Sequence, residues 1–378
     1  MEFINDNTSL QRCCEILSQS NAIALDTEFV RERTYYPALG LVQLSDGQDI
    51  YLVDPLEISN WTPLQTLLTD PDTVKVIHSC GEDIEVIKVA LNVKPVAFHD
   101  TQIAHAFIAD KPAIGLAALI EEYCGVKLDK GHARTNWLNR PLSPQQLEYA
   151  ADDVRYLLDV YQKQVATMAQ RQVTELVLAD TNSLIEKRFE TIQPQLAWRD
   201  VKSAWQLSPR ELAILKELIA WRLKHAVQRN LAVNFVVHER SLIALAQRRP
   251  SNIKSMANVP GIHHMEVKRH GKALLECIER GKAVPLEDCP PKIKRVAEIT
   301  GYKKIYTDLK HAFSEVAKSK QLNPDILASK RMINQYISYV WQVSSWSRDS
   351  QPELLTGWRG QLLSEVAENT VAKHQVEA

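Results

Sequence analysis

Residues 22–29, Ala-Ile-Ala-Leu-Asp-Thr-Glu-Phe, form an apolar run that ends by placing two carboxylates two positions apart. Side chains on a strand alternate faces, so Asp26 and Glu28 share one side with Ala22 and Ala24, while Ile23, Leu25, Thr27 and Phe29 line the other. Acids that converge beside an apolar wall repel each other unless a cation offsets them, and hard divalent ions such as Mg²⁺ prefer oxygen ligands. The other reading is an edge strand whose acids are simply solvated at its exit.

Further along, Ser79-Cys-Gly-Glu82 reads as a capping box that starts a helix through Ala90. Asp83 in its first turn falls on the same stripe as Ile84, Val86, Ile87, Ala90 and Leu91. A charge on a buried stripe needs a partner such as a metal ion, or the carboxylate merely favours the helix N-terminus. Ser143-Pro-Gln-Gln146 opens another helix, expected to reach about Gln162, with Leu147, Ala151, Val154, Leu158 and Tyr161 as its buried stripe. Tyr149 and Asp153, four apart, project together on a different side, and Asp152 is turned away from them. Such a pair is either a surface contact or part of a site. His78, His99 and His105 are set aside as metal ligands because hard-cation sites seldom use imidazole, and Asp100 is read as a helix cap.

The elements that must position these groups alternate over the first 160 residues. Strands are expected at 22–29, 41–45, 50–54, 74–78 and 96–99, with a hairpin across Asp46-Gly47 and helices near 101–109 and 115–123. This pattern gives a mixed sheet, three antiparallel strands followed by parallel ones, with helices on its faces. Residues 127–141 are polar and basic around Trp137 and read as a loop over the sheet. Helices continue through Glu190, and about 193–207 reads as a linker. Beyond Ser208 only amphipathic helices and turns are expected, with a weak repeat: Ala226, Leu231, Arg240 and Leu242 return 91 positions later as Ala317, Leu322, Arg331 and Ile333.

Length and composition agree with several domains: 378 residues, 45% hydrophobic. No stretch of 18 uncharged apolar residues occurs, and the first residues lack a basic segment followed by an apolar run, so a cytoplasmic protein without a membrane span is expected. The six cysteines show neither zinc-ligand spacing nor a disulfide framework. Residues 1–200 hold 17 Lys+Arg against 29 Asp+Glu and residues 201–378 hold 28 against 17, which suggests one half that binds metals and another that binds a polyanion.

Asp-x-Glu on a first strand, Asp at a helix start about 55 residues later and Tyr-x-x-x-Asp on a later helix together resemble the tyrosine branch of the DEDD exonucleases. Leu25-Asp-Thr-Glu-Phe29, Leu41-Val-Gln-Leu44, Trp137-x-x-Arg140-Pro-Leu142 and Tyr149-Ala-Ala-Asp-Asp-Val154 are more specific and are similar to the ribonuclease D family. Trp221-Arg222, Pro250, Val259-Pro-Gly-Ile262 and Gly271 resemble the helical HRDC domain, of which that family carries two copies.

The resemblance implies an α/β ribonuclease H-like exonuclease domain over 1–195, a first all-α HRDC-like domain over 208–289 and a second, degenerate one over 290–378. It implies a 3′→5′ exoribonuclease that releases 5′-mononucleotides and trims 3′ extensions from tRNA precursors; a monomer is expected because the sequence holds nothing like a long exposed heptad. Two divalent cations, Mg²⁺ or Mn²⁺, would be held by Asp26, Glu28, Asp83 and Asp153, with Tyr149 as a further catalytic residue. Thr27, Phe29, Lys130, Arg134 and Arg140 are the nucleic-acid contacts it suggests. A 3′→5′ DNA exonuclease and a catalytically inactive nucleic-acid-binding module are the alternatives.

Overall fold

The computed structural model describes residues 1–109, 113–128 and 135–375. Its packing divides the chain into two units. One comprises Met1–Arg31, Pro37–Glu190 and Phe313–Ser329, the other Glu32–Tyr36, Thr191–Ala312 and Lys330–Ala378.

The first unit runs β1 (Glu2–Ile4), α1 (Asn7–Leu17), β2 (Ala22–Val30), β3 (Ala38–Ser45), β4 (Ile50–Val53), α2 (Thr62–Thr69), β5 (Val74–Ile77), α3 (Gly81–Leu91), β6 (Phe98–Asp100), α4 (Thr101–Ile108), α5 (Leu116–Cys124), α6 (Pro144–Arg155), α7 (Leu157–Arg171) and α8 (Thr174–Phe189). The sheet order is β1-β4-β3-β2-β5-β6. β2–β3 and β3–β4 are antiparallel, whereas β5 and β6 extend the other side of β2 in parallel and β1 adds in parallel to β4. The expected three antiparallel strands are therefore present, and β1 is an addition that its three residues were too short to announce.

The period-2 reading of β2 decides which side each residue serves. Ile23 and Leu25 pack with Leu10, Leu17, Leu68, Ile84 and Ile87 in one core. Ala24 packs on the opposite face against Val154, Leu157 and Leu158. Asp26 and Glu28 thus lie on the face covered by α6 and α7, and Thr27 on the face covered by α3.

At Glu28/Phe29 the β2–β3 register slips, Glu28 pairing with Leu41 and Phe29 with Leu39, so Gly40 is an extra residue. A side chain at Gly40 would sit 2.6 Å from Cβ of Trp137, so only glycine lets that residue close over the sheet. Trp137 is 1% exposed, a buried lid on Leu41, Leu52 and Ala150.

Two local expectations are corrected. Ser79 does not cap α3: the N-cap is Cys80, without a side-chain bond, and Ser79 has φ +58°. The helix opened by Ser143 has its expected capping box but ends at Arg155, with Tyr156 at the break before α7, rather than running to Gln162.

The rest of the chain is helical: α9 (Pro209–Arg229), α10 (Val233–Val236), α11 (Glu239–Arg248), α12 (Ile253–Ala257) and α13 (His264–Ala283) share one core in the second unit, and α14 (Tyr302–Ser319), α15 (Pro324–Leu327), α16 (Lys330–Val340) and α17 (Gly357–Gln375) follow in the chain, the stretch Phe313–Ser329 belonging to the first unit. The stretch expected as a linker is folded: Trp198, Val201, Ala204 and Leu207 are buried in that core. The 91-residue repeat is structural. Leu231 donates its N–H to the Ala226 carbonyl and Leu322 to that of Ala317, each at 2.9 Å, and the preceding residues, Asn230 and Gln321, are both left-handed, a shared way of closing a helix. The starts of α10 and α15, and of α11 and α16, keep the same spacing.

All six cysteines are free thiols. Among the described residues, no helix is long and apolar enough to cross a membrane.

Candidate active site

Carboxylate oxygens of Asp26, Glu28 and Asp153 lie within 4.8 Å of one another. β2 supplies the first two, partly exposed at the end of their face, and α6, laid over that face, brings the third, which is 7% exposed. Asp83 reaches the same end of β2 from α3, on the other side of the strand. It is held there by Thr27, whose hydroxyl donates to Oδ1 at 2.5 Å. The structure therefore gathers three of the four acids into one group and places the fourth beside it on a neutral partner.

Burial holds the Asp26 carboxyl well above the usual carboxylate range, and Asp83, Asp153 and Glu28 push it further. Glu28 is raised to about 9 by burial and then by Asp153 and Asp83. Burial also raises Asp153, with Asp152 adding to it and Tyr149 opposing. Asp83 is raised by burial against the lowering effect of its Thr27 bond. Such a set resists full ionisation until positive charge arrives. Its donors are all carboxylate oxygens, which fits a hard divalent cation and not a soft one.

Tyr149 stands at the edge of the group, its ring 6.1 Å from that of Trp137. Its phenol is pushed up, first by burial and then by Asp153, Glu28 and Asp26. It is a protonated donor at neutral pH.

The sequence did not announce what fixes α3. Asp100, 1% exposed, accepts the N–H groups of Ser79 (3.0 Å) and Cys80 (2.8 Å) besides capping α4 through Gln102 and Ile103. Its carboxylate thereby closes the left-handed turn that delivers Asp83. Arg31, just past β2, adds a tie to Glu85 of the same helix at 2.8 Å. The aspartate was legible as a cap; its second pair of bonds depends on the β5–β6 pairing, which local pattern does not carry.

Two suggested nucleic-acid contacts have other work. Thr27 is 6% exposed and engaged with Asp83. Arg140 is spent on the fold: Nε and Nη2 bind both oxygens of Asp54 at 2.6 and 2.5 Å, and the remaining bonds go to the carbonyls of Gly40, Trp137 and Asn139. The spacing that marked Arg140 belongs to this clamp. Phe29 remains partly exposed beside Glu28. Lys130 and Arg134 lie outside the described residues. The three histidines each have a partner within the fold, Nδ1 of His78 at Thr101, His99 at Gln164 and His105 at Tyr123, while Nε2 of His78 is buried without one among the described residues.

A mixed sheet whose central strand carries two acids, with a third brought over it by a helix, defines a 3′-5′ exonuclease domain, and the family model described as 3′-5′ exonuclease matches residues 1–167. The HRDC domain model matches residues 211–278 and that of the ribonuclease D C-terminal HRDC domain residues 300–366. Ribonuclease D of Escherichia coli K12 is 39% identical over 99% of both chains, and that of Cronobacter turicensis 38% identical over 96% of this chain and 97% of its own. The crystal structure of Escherichia coli RNase D, described as an exoribonuclease involved in structured RNA processing, superposes with a TM-score of 0.92 over 98% of each chain at 39% identity. The chain belongs to the ribonuclease D family and is a 3′→5′ exoribonuclease. Its exonuclease class is divalent-metal-dependent, in keeping with the acidic cluster.

Proposed function

We propose that Asp26, Glu28, Asp83 and Asp153 would hold two divalent cations, Mg²⁺ or Mn²⁺, and that the enzyme trims 3′ extensions from tRNA precursors. The convergence of Asp26, Glu28 and Asp153 oxygens within 4.8 Å is the observation that supports this most directly. Bound there, divalent cations supply the positive charge that activates the nucleophile and relieves the leaving oxygen in phosphodiester hydrolysis.

The protein's own groups do the rest. Glu28 and Asp153 remain anionic once their repulsion is offset, and so act as ligands rather than as proton carriers. Tyr149, held protonated by burial and then by its anionic surroundings, donates a hydrogen bond and orients the attacking group; it does not take the proton. Phe29, partly exposed at the bulge beside Glu28, is the proposed contact to the terminal nucleotide. Domains at 1–195, 208–289 and 290–378 divide the work, the acidic first cleaving and the basic remainder binding backbone phosphate without reading sequence. The enzyme would act as a cytoplasmic monomer.

The test is a tRNA with a labelled 3′ extension, beside a matched single-stranded DNA, incubated with Mg²⁺, Mn²⁺ or EDTA. Stepwise shortening of the RNA from its 3′ end, lost in EDTA and in Asp26→Asn, supports the reading. Faster loss of the DNA, or shortening that persists in EDTA, overturns it.

A further inference from the structure

Phe235 on α10 is 53% exposed, yet the short helix that carries it is fixed. Ala232, just before α10, donates its N–H to the Arg33 carbonyl at 2.8 Å, and Tyr36 donates its own to Oδ1 of Asn230 at 2.9 Å. The Arg33 guanidinium lies 6.0 Å from the centre of the Phe235 ring. Beside the ring opens a groove of about 340 Å³, with His238, His263, Glu266 and Arg269 among the residues that line it.

The polar groups in this groove are sorted by sign. Its acid, Glu266, is 6% exposed and fully occupied: Oε1 accepts the backbone N–H and Nδ1–H of His238, each at 2.8 Å, and Oε2 accepts the N–H of His263 at 3.1 Å. With Nδ1 committed, His238 has Nε2 as its remaining ring nitrogen. Arg269 is exposed and has no carboxylate partner among the described residues. An exposed aromatic ring on a fixed helix, Arg269 in the groove with Arg33 over the ring, and a spare imidazole nitrogen, with the oxygens of the acid engaged by their bonds, match one nucleotide of a single strand. Such a strand needs a face to stack its base and positive charge for its phosphate.

We propose that this groove is a nucleotide-binding subsite for single-stranded RNA on the first helical module. One base stacks on Phe235, and its phosphodiester lies between Arg33 and Arg269. Any base has a π-face, so the subsite is indifferent to sequence. It rests on the RNA-degrading reading given above and adds a defined anchor for substrate held away from the scissile bond.

The test uses the full chain in EDTA with a fluorescein-labelled 12-nucleotide oligoadenylate, measured by anisotropy across a salt series. Phe235→Ala should weaken binding on the order of tenfold while Phe235→Tyr restores it. Arg269→Ala should reduce the slope of log affinity against log salt by about 0.7. In Mg²⁺, both should raise KM for the oligomer and leave kcat on a dinucleotide unchanged. Phe235 is largely exposed, so unchanged melting of its variants controls for folding. Wild-type affinity in Phe235→Ala, or equal weakening in the Tyr and Ala variants, overturns the subsite even where metal-dependent hydrolysis is intact. Loss of hydrolysis in the wild type would instead remove the reading on which it rests.

Discussion

The hydroxyl of Thr27 donates to Oδ1 of Asp83 at 2.5 Å, across 56 residues of sequence and inside a buried site. Thr27 is the residue between the two acids of β2, so the strand controls three carboxylates: two on one face by its own side chains, and a third on the other by hydrogen bond. Thr27→Val keeps the shape and removes the donor, leaving Asp83 buried without it. Activity plotted against Mg²⁺ concentration should shift to roughly tenfold higher metal, since partners that orient a ligand typically matter by that much. Thr27→Ser should stay near wild type. An unshifted metal profile in the valine variant would show the bond to be incidental.

Asp100 makes a related prediction about the turn before α3. Its Oδ1 serves Ser79, Gln102 and Ile103, and its Oδ2 serves Cys80. Asp100→Ala strands these donors and should cost about 2–4 kcal/mol, the loss of a cap together with unsatisfied buried N–H groups. Asp100→Asn fits only partly, because its NH₂ would face a donor whichever way it is turned. Ser79→Gly should be neutral or stabilising, since glycine adopts φ +58° without strain. Urea denaturation of the three variants checks the order.

The acids and their strand were readable because alternation on β2 and helical spacing on α6 are local rules, and Asp26, Glu28 and Asp153 obey them. Asp83 was readable as a buried charge, but not as one facing Thr27, because that depends on α3 crossing the opposite face of the sheet. The clamp made by Arg140 was hidden for a similar reason. Its partner Asp54 lies 86 residues away and nothing in a basic loop distinguishes a clamp from a phosphate contact. The helix break at Tyr156 is also tertiary in origin: the apolar stripe runs on from α6 into α7, and periodicity alone carries the helix through. The repeat, by contrast, was legible because the two modules close equivalent helices with the same residue spacing.

The clamp itself can be tested. Asp54 is 3% exposed, and burial alone would raise its carboxyl, but bonds from Arg140 and from the Leu56 N–H hold it below the ordinary range. Arg140→Ala should destabilise the first unit by about 3–5 kcal/mol, much of it the cost of a buried charge without its partner. Arg140→Lys should recover only part, because an ammonium cannot span both oxygens. Below saturating denaturant, RNA binding by the folded fraction should keep the wild-type salt slope. A flattened slope with unchanged melting would return Arg140 to the phosphate-binding set.

The acidic cluster sets the sign of a pH effect. Asp26, Glu28, Asp83 and Asp153 are all raised in the folded protein, chiefly by burial, with Glu28 near 9 against an ordinary 4.5. Between those values the folded state binds more protons than the unfolded one, so stability falls as pH rises. Buried His99, lowered by burial despite its bond to Gln164, acts oppositely and only below its ordinary 6.5. In EDTA, therefore, Tm should decline from about pH 6.5 to 9, and Asp26→Asn, which removes one of the repelling charges, should flatten that decline. Mg²⁺ favours the ionised forms, so the Tm gained on adding it should grow over the same window. Thermal melts of both proteins at stepped pH, with and without metal, check this; a wild-type Tm that climbs with pH in EDTA would show that the cluster does not carry the strain its geometry implies.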